Sequence, residues 1–89
     1  MVLNAHDQLY ERFAPQNPDG TRDDKKGIRE FIVGTGGQGL SSTTNKIANS
    51  EVVKSQFGYL LLELKPYGYN WAFKDRSNNI VDKGTGLCH

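Results

Sequence analysis

Hydrophobic and polar positions alternate most regularly in the second half of the chain. In residues 59–64 every second position is a leucine, at Leu60, Leu62 and Leu64. In residues 67–74 every second position is aromatic, at Tyr67, Tyr69, Trp71 and Phe73. A period of two with branched and aromatic side chains is typical of β-strands. Pro66 and Gly68 separate the two runs, and residues 75–79 supply the next turn. The pattern therefore predicts two strands here and a last strand from Ile80 to about Gly84.

The first half of the chain has weaker signals. Residues 14–27 contain two prolines, two glycines and six charged residues, which predicts a solvated loop. Residues 28–33 (IREFIV) predict a short strand, and residues 34–50 are rich in Gly, Ser, Thr and Asn and predict a long loop. No segment shows a helical period. We therefore predict one all-β domain over residues 1–89, a small antiparallel meander or half-sandwich of four to six strands, with residues 28–89 forming the meander.

Apolar side chains lie on both faces of the predicted hairpin. The leucines at even positions share one face, whereas Tyr59 and Leu61 lie on the other. No amphipathic helix is available to cover a second apolar face, and a large uncovered apolar patch generally marks an interface. We therefore predict a homo-oligomer, and a closed barrel that hides these side chains is the alternative. The predicted interface residues are Tyr59, Leu61, Tyr67, Tyr69, Trp71 and Phe73.

Size, charge and cysteine content narrow the functional classes. The chain has 89 residues and a net charge of +1, with acidic and basic residues mixed. This balance gives no electrostatic support for a nucleic-acid or anionic-membrane partner. The single cysteine, Cys88, cannot form a disulfide within the chain, and no apolar run approaches the roughly 20 residues of a spanning helix. We therefore expect a soluble, cytoplasmic protein.

Motif spacing alone predicts no catalytic residue. Residues 34–39 (GTGGQG) have the glycine spacing of a dinucleotide-binding loop, but residues 40–50 lack the helical period that must follow. The only histidines are His6 and His89, so a hydrolytic triad has few candidate bases. A zinc site made of His6, Cys88 and His89 would need a fourth ligand and lacks the usual short ligand spacings.

The start of the chain nevertheless resembles a known motif. Residues 5–8 are AHDQ, and YERFAP follows at residues 10–15. This run resembles the last metal-binding motif of the calcineurin-like metallophosphoesterases, the family that includes the purple acid phosphatases, where the motif is Gly-His-Asp-His. Residues 27–37 (GIREFIVGTGG), 59–73 (YLLLELKPYGYNWAF) and 82–89 (DKGTGLCH) are also similar to that family. The resemblance covers nearly the whole chain and implies the C-terminal segment of such an enzyme.

The resemblance implies a degraded metal site. The family fold is a β-sandwich flanked by helices that holds two bridged metals, and the earlier motifs that supply most of the ligands do not occur in this sequence. His6 matches a metal ligand and Asp7 matches a position that is not a ligand. Gln8 occupies the position of the second histidine ligand, and a neutral amide binds a divalent transition metal more weakly than an imidazole does.

Three functional hypotheses follow. The first is a non-catalytic β-domain without a cofactor, in which residues 1–27 are a motif remnant and the domain self-associates through its apolar sheet faces. The second is a residual or oligomer-assembled metal-dependent phosphoesterase that uses His6 to hold Zn, Mn or Fe. The third is a truncated gene product that pairs with a separate N-terminal piece as its protein partner, along its exposed strand edges.

Overall fold

The protein is a two-sheet β-sandwich. The computed structural model describes residues 1–37, 39–41 and 47–88. The strands in this part are β1 (Val2–Asn4), β2 (Tyr10–Phe13), β3 (Glu30–Val33), β4 (Ser50–Lys54), β5 (Gly58–Lys65), β6 (Gly68–Asp75) and β7 (Ile80–Leu87). One sheet has the order β1-β3-β2-β4 and the other has the order β5-β6-β7. The all-β prediction is confirmed, although the described residues form seven strands where four to six were expected.

The three-stranded sheet is the predicted meander. Lys65 pairs with Gly68, so β5 and β6 are joined by a two-residue turn at Pro66 and Tyr67. The last strand extends to Leu87, beyond the predicted end at Gly84. Gly84 lies inside this strand and does not end it. The ring of Trp71 packs over its Cα, and a Cβ at this position would lie 2.3 Å from the ring, so the strand has a glycine here for close packing.

The four-stranded sheet contains the strands that the sequence pattern missed. Strands β1 and β2 both lie within residues 1–27, which were predicted to lie outside the sheet structure, and β4 begins at Ser50 at the end of the predicted long loop. Strand β1 is parallel to β3, whereas β2 is antiparallel to both β3 and β4. The predicted strand at residues 28–33 begins two residues later, because Ile28 forms only an isolated bridge with Gln16.

The aromatic core lies between the two sheets. Its buried members are Tyr10, Phe31, Tyr69, Trp71 and Phe73. The rings of Tyr10 and Phe73 are stacked with centroids 4.2 Å apart, and Phe31 meets Trp71 edge-on at 5.3 Å. Aromatic pairs of this kind stabilise a core beyond the area that they bury. The aromatic stripe of β6 is therefore the core of the domain itself.

Candidate association site

Two edge strands on one side of the sandwich, β1 and β5, border a cavity that is open to solvent. The cavity has a volume of about 470 Å³. Leu3 in β1 lines one wall, Leu60 and Leu62 in β5 line another, and Val33 in β3 contributes to the lining. We call β1, β5 and this cavity the open side of the sandwich. It is an apolar recess between two strands that each end a sheet.

The backbone of β5 is fixed at one end of the open side. The N–H of Gly58 donates to the carbonyl oxygen of Thr35 at 3.2 Å, and the Thr35 hydroxyl donates to the carbonyl oxygen of Gly58 at 2.8 Å. Gly58 therefore directs its polar backbone groups away from β6. Because these groups alternate along an antiparallel strand, those of Leu60, Leu62 and Leu64 face the same way. In the part of the chain that the structure describes, no strand lies against this edge.

Exposed apolar side chains concentrate on the open side. Eleven large hydrophobic residues are exposed in the part of the chain that the structure describes. Three of them lie in β5, two lie in β1 and one directly precedes β1. These six are Met1, Val2, Leu3, Tyr59, Leu61 and Leu64. Leu64 is 73% exposed although it belongs to a regular strand. Clustering of this kind distinguishes an interaction surface from the scattered apolar residues that every protein exposes.

The structure corrects half of the predicted interface. Tyr59 and Leu61 are exposed on the outer face of β5, and Tyr67 is exposed in the turn after it. The other three predicted residues, Tyr69, Trp71 and Phe73, are buried in the core and are not available to a partner of the folded domain. The prediction failed for these three because the four-stranded sheet, most of which the pattern missed, covers the aromatic stripe of β6.

His6 lies exposed in the turn between β1 and β2. Its φ angle is +93°, which is unusual for a residue with a side chain. Gln8 fixes this turn, because its side-chain amide donates to the carbonyl oxygen of His6 at 2.8 Å. The backbone of Gln8 also pairs with Ser41 through two hydrogen bonds, from Gln8 N–H to Ser41 Oγ and from Ser41 N–H to Gln8 O. The turn is therefore held by specific contacts on both sides of Asp7.

The described residues around His6 do not form a metal-binding group. Nowhere in the described ranges do three or more His, Cys, Asp or Glu side chains lie close enough to hold one metal ion. The amide of Gln8, the residue at the second predicted ligand position, is bonded to the backbone of His6 instead. Cys88 is exposed, and His89 lies outside the described residues. A Zn, Mn or Fe ion at His6 would need further ligands from elsewhere.

A polar cluster joins the two sheets on the side opposite the open side. It consists of Tyr10 and Arg12 on β2, Arg29 directly before β3, Glu51 on β4, Trp71 on β6 and Asp82 on β7. Asp82 accepts hydrogen bonds from Arg12 Nε at 2.8 Å and from the Tyr10 hydroxyl at 2.5 Å. The guanidinium groups of Arg12 and Arg29 both lie over the ring of Trp71.

Three ionisable groups of the cluster, Asp82, Tyr10 and Arg12, have shifted pKa values. Burial opposes the charge of Asp82, but hydrogen bonds from Arg12 and Tyr10 outweigh it, so the pKa of Asp82 lies below its usual value. Burial and the bond to Asp82 raise the pKa of Tyr10 far above its usual value. Burial also opposes the charge of Arg12, but Asp82 and Glu51 outweigh it and raise its pKa. Since none of these groups titrates near neutral pH, the cluster is suited to holding the sheets together and not to general acid–base catalysis.

Sequence reasoning did not identify this cluster. Arg12 and Asp82 are separated by 70 positions, so no local motif joins them. The one signal within the sequence is that Tyr10 and Arg12 are two positions apart, which places both on the same face of a strand.

The comparisons with known proteins leave the resemblance untested. No family model matches the chain, and no match was found among curated proteins or solved structures. Among the residues that the structure describes, no helix is long and apolar enough to cross a membrane.

Proposed function

We propose that this protein is a non-catalytic β-domain that self-associates through its open side. The observation that carries the proposal is that six exposed apolar residues lie on or directly before the two edge strands that border one apolar cavity. Burial of apolar surface is the main driving force of protein association, and large exposed patches mark sites where it occurs. The open side combines such a patch with a strand edge that can accept another strand.

Two features support a role without catalysis. The charged side chains of the polar cluster are paired with one another across the sheets, as Arg12 and Asp82 are at 2.8 Å. The resemblance to the tail of a metallophosphoesterase points the same way, because it places Gln8 where that family has a histidine ligand. A domain of this kind would retain the fold of an enzyme segment and serve as an interaction module.

The test is the mass of the protein as a function of concentration. We expect sedimentation velocity to show a dimer or larger species for the wild type. The variant Leu3→Glu introduces a charge on the open side and is expected to be monomeric. Its matched control is Leu87→Glu, which introduces the same charge at an exposed position of β7, on the other edge of the second sheet. A wild type that stays monomeric at every concentration would contradict the proposal.

One observation favours a second candidate, a metal-dependent phosphoesterase that uses His6. His6 is held at positive φ on an exposed turn, and strained backbone of this kind occurs often at functional sites. Association could bring imidazoles from two chains to one metal ion. This candidate predicts stoichiometric Zn, Mn or Fe and hydrolysis of a phosphate ester, both lost in His6→Gly, a variant that tolerates the positive φ. Background metal content in the wild-type oligomer would reject it.

A further inference from the structure

The free edge of β5 defines one way in which two copies can pair. We propose that a second copy of this chain binds antiparallel along β5, with Leu62 opposite Leu62 of the other copy, so that the two three-stranded sheets become one continuous sheet. This inference rests on the proposed self-association and specifies its partner and register.

Strand β5 is less protected against pairing than the other strand edges. Charged residues, bulges and short length normally prevent an edge strand from pairing with another chain. Strand β1 has three residues, β4 contains Glu51 and Lys54, and β7 contains Asp82, Lys83 and a bulge opposite Phe73 and Lys74. By contrast, β5 has eight residues in unbroken register with β6, and its two charged residues, Glu63 and Lys65, lie near its end, so that positions 58–62 carry no charge. Among the described strands, β5 is the edge most open to pairing.

The backbone of β5 limits the register of that pairing. At one end, the outward-facing groups of Gly58 are already bonded to Thr35. At the other end, Pro66 has no N–H to donate. Three residues between these limits present both an N–H and a C=O outward, namely Leu60, Leu62 and Leu64.

Only the arrangement centred on Leu62 uses all of these groups. In an antiparallel pair, opposed residues with outward-facing groups exchange two hydrogen bonds. Placing Leu62 opposite its own copy sets Leu60 against Leu64 twice, which gives about six hydrogen bonds in three pairs. If one strand shifts by two residues along the other in one direction, Gly58 enters the pairing, and its outward groups are already bonded to Thr35. If it shifts in the other direction, Pro66 enters the pairing and has no N–H to donate. Either shift therefore loses hydrogen bonds.

The same register places apolar side chains in the cavity of the open side. Opposed residues of paired strands have side chains on the same face of the sheet. Leu60 and Leu62 line the cavity, so Leu64 of the second copy lies beside Leu60 and over the cavity. This contact covers Leu64, the most exposed hydrophobic side chain of β5. On the outer face, Tyr59 then lies opposite Lys65 of the other copy, where an ammonium group can contact an aromatic ring.

Disulfide trapping tests the register directly. In the background Cys88→Ser, Leu61→Cys is prepared in one sample and Glu63→Cys in another. Both positions are exposed, so neither change removes a core contact. In the proposed register, residue 61 faces residue 63 of the other copy in a pair that exchanges no hydrogen bonds, with Cα atoms about 4.5 Å apart, within disulfide reach. Residues 61 of the two copies are diagonal neighbours, about 7–8 Å apart and beyond that reach.

The outcomes of the crosslinking distinguish the proposed register from the proposed self-association. A covalent dimer that forms on mild oxidation of the mixture, and in neither sample alone, supports the inference. Crosslinking of Leu61→Cys alone, or no crosslinking in a mixture that still sediments as a dimer, overturns the register and leaves self-association standing. A monomeric wild type overturns both proposals.

A side-chain substitution provides an independent measurement. Leu64→Lys places a charge over the partner's cavity at two symmetric positions and is expected to raise the dimer dissociation constant about tenfold or more. The control is Tyr67→Lys, which adds the same charge in the exposed turn beyond the free edge. Equal dissociation constants for the two variants would overturn the inference.

Discussion

Replacing Asp82 by asparagine removes the charge on which the polar cluster depends while keeping the size of the side chain. The Asp82 carboxylate is only 10% exposed, and it accepts hydrogen bonds from Arg12, Tyr10 and Trp71. The variant leaves Arg12, itself 15% exposed, with Glu51 as its remaining charged partner. Breaking a buried ion pair costs about 3–5 kcal/mol. Because Glu51 remains, we expect Asp82→Asn to lower the free energy of unfolding by about 2–3 kcal/mol.

This loss is large relative to the stability of a domain of this size. At about 0.05–0.15 kcal/mol per residue, the whole domain is expected to have a free energy of unfolding of about 4–13 kcal/mol. The assay is urea unfolding at neutral pH, followed by the fluorescence of Trp71, the single tryptophan. The control is Asp24→Asn, because the ion pair of Asp24 with Arg22 is exposed and is worth about 1 kcal/mol or less. Equal losses in the two variants would refute the assignment of the cluster as the link between the sheets.

The pH dependence gives the same prediction an independent check. The pKa of Asp82 is lower in the folded state than the usual 3.8. A lowered pKa adds stability above the unfolded-state value, and this stability is lost as the pH falls through the folded-state value. The difference between the wild type and Asp82→Asn should therefore be constant near neutral pH and shrink below about pH 4. A difference that stays constant throughout acid unfolding would show that the charge of Asp82 is not its source.

Two further predictions concern the contacts between strands and the buried tyrosine. Gly84→Ala should lower the free energy of unfolding by about 1–3 kcal/mol in thermal melts, because its Cβ would lie 2.3 Å from the ring of Trp71. Gly36→Ala, where a Cβ meets open space, should change it by less than about 0.5 kcal/mol. Because the pKa of Tyr10 is raised on folding, this residue should lower the stability of the wild type as the pH rises above 10. Urea unfolding from neutral to alkaline pH should therefore show a shallower loss for Tyr10→Phe, and equal slopes would contradict the raised pKa.

The meander was predictable because each of its first two strands has one face in the core and one face outside it. Burial of one face produces a period of two in the sequence, which residues 60–64 show on one side of Pro66 and residues 67–73 show on the other. The position of Pro66 and Gly68 between the two runs also placed the turn correctly. In this part of the chain, the sequence pattern alone was enough to predict the strands.

The strands of the other sheet were not predictable in the same way. The inward face of β2 carries Arg12, whose charge is balanced by Asp82 from a strand 70 positions away. A strand with an arginine on its inner face has no apolar alternation, so local pattern places it in a loop. Strand β1 has only three residues, which is too short for a period to be recognised. Strand β4 has two adjacent valines, so its apolar residues do not alternate with polar ones.

The missing sheet also explains why the predicted interface was only partly correct. Periodicity shows which side chains share a face, but it does not show what covers that face. The aromatic stripe of β6 and the exposed pair Tyr59 and Leu61 have similar hydrophobicity in the sequence. Their fates differ because the four-stranded sheet packs on one face of the meander, and that packing depends on contacts between distant residues. The residues of the open side could be identified only after the core had been assigned.

The two sides of the sandwich have different means of joining the sheets, and this difference links association to folding. On the side of β4 and β7, hydrogen bonds and ion pairs of charged groups, such as Arg12 with Asp82, join the sheets. On the open side, two hydrogen bonds between Thr35 and Gly58 lie at one end of β5, and the cavity beside Leu60 and Leu62 follows them. A second copy paired along β5 would cover that cavity without disturbing the polar cluster. Since a partner that binds only the folded state adds to its stability by mass action, self-association would stabilise the domain at the side where the cavity lies between its sheets.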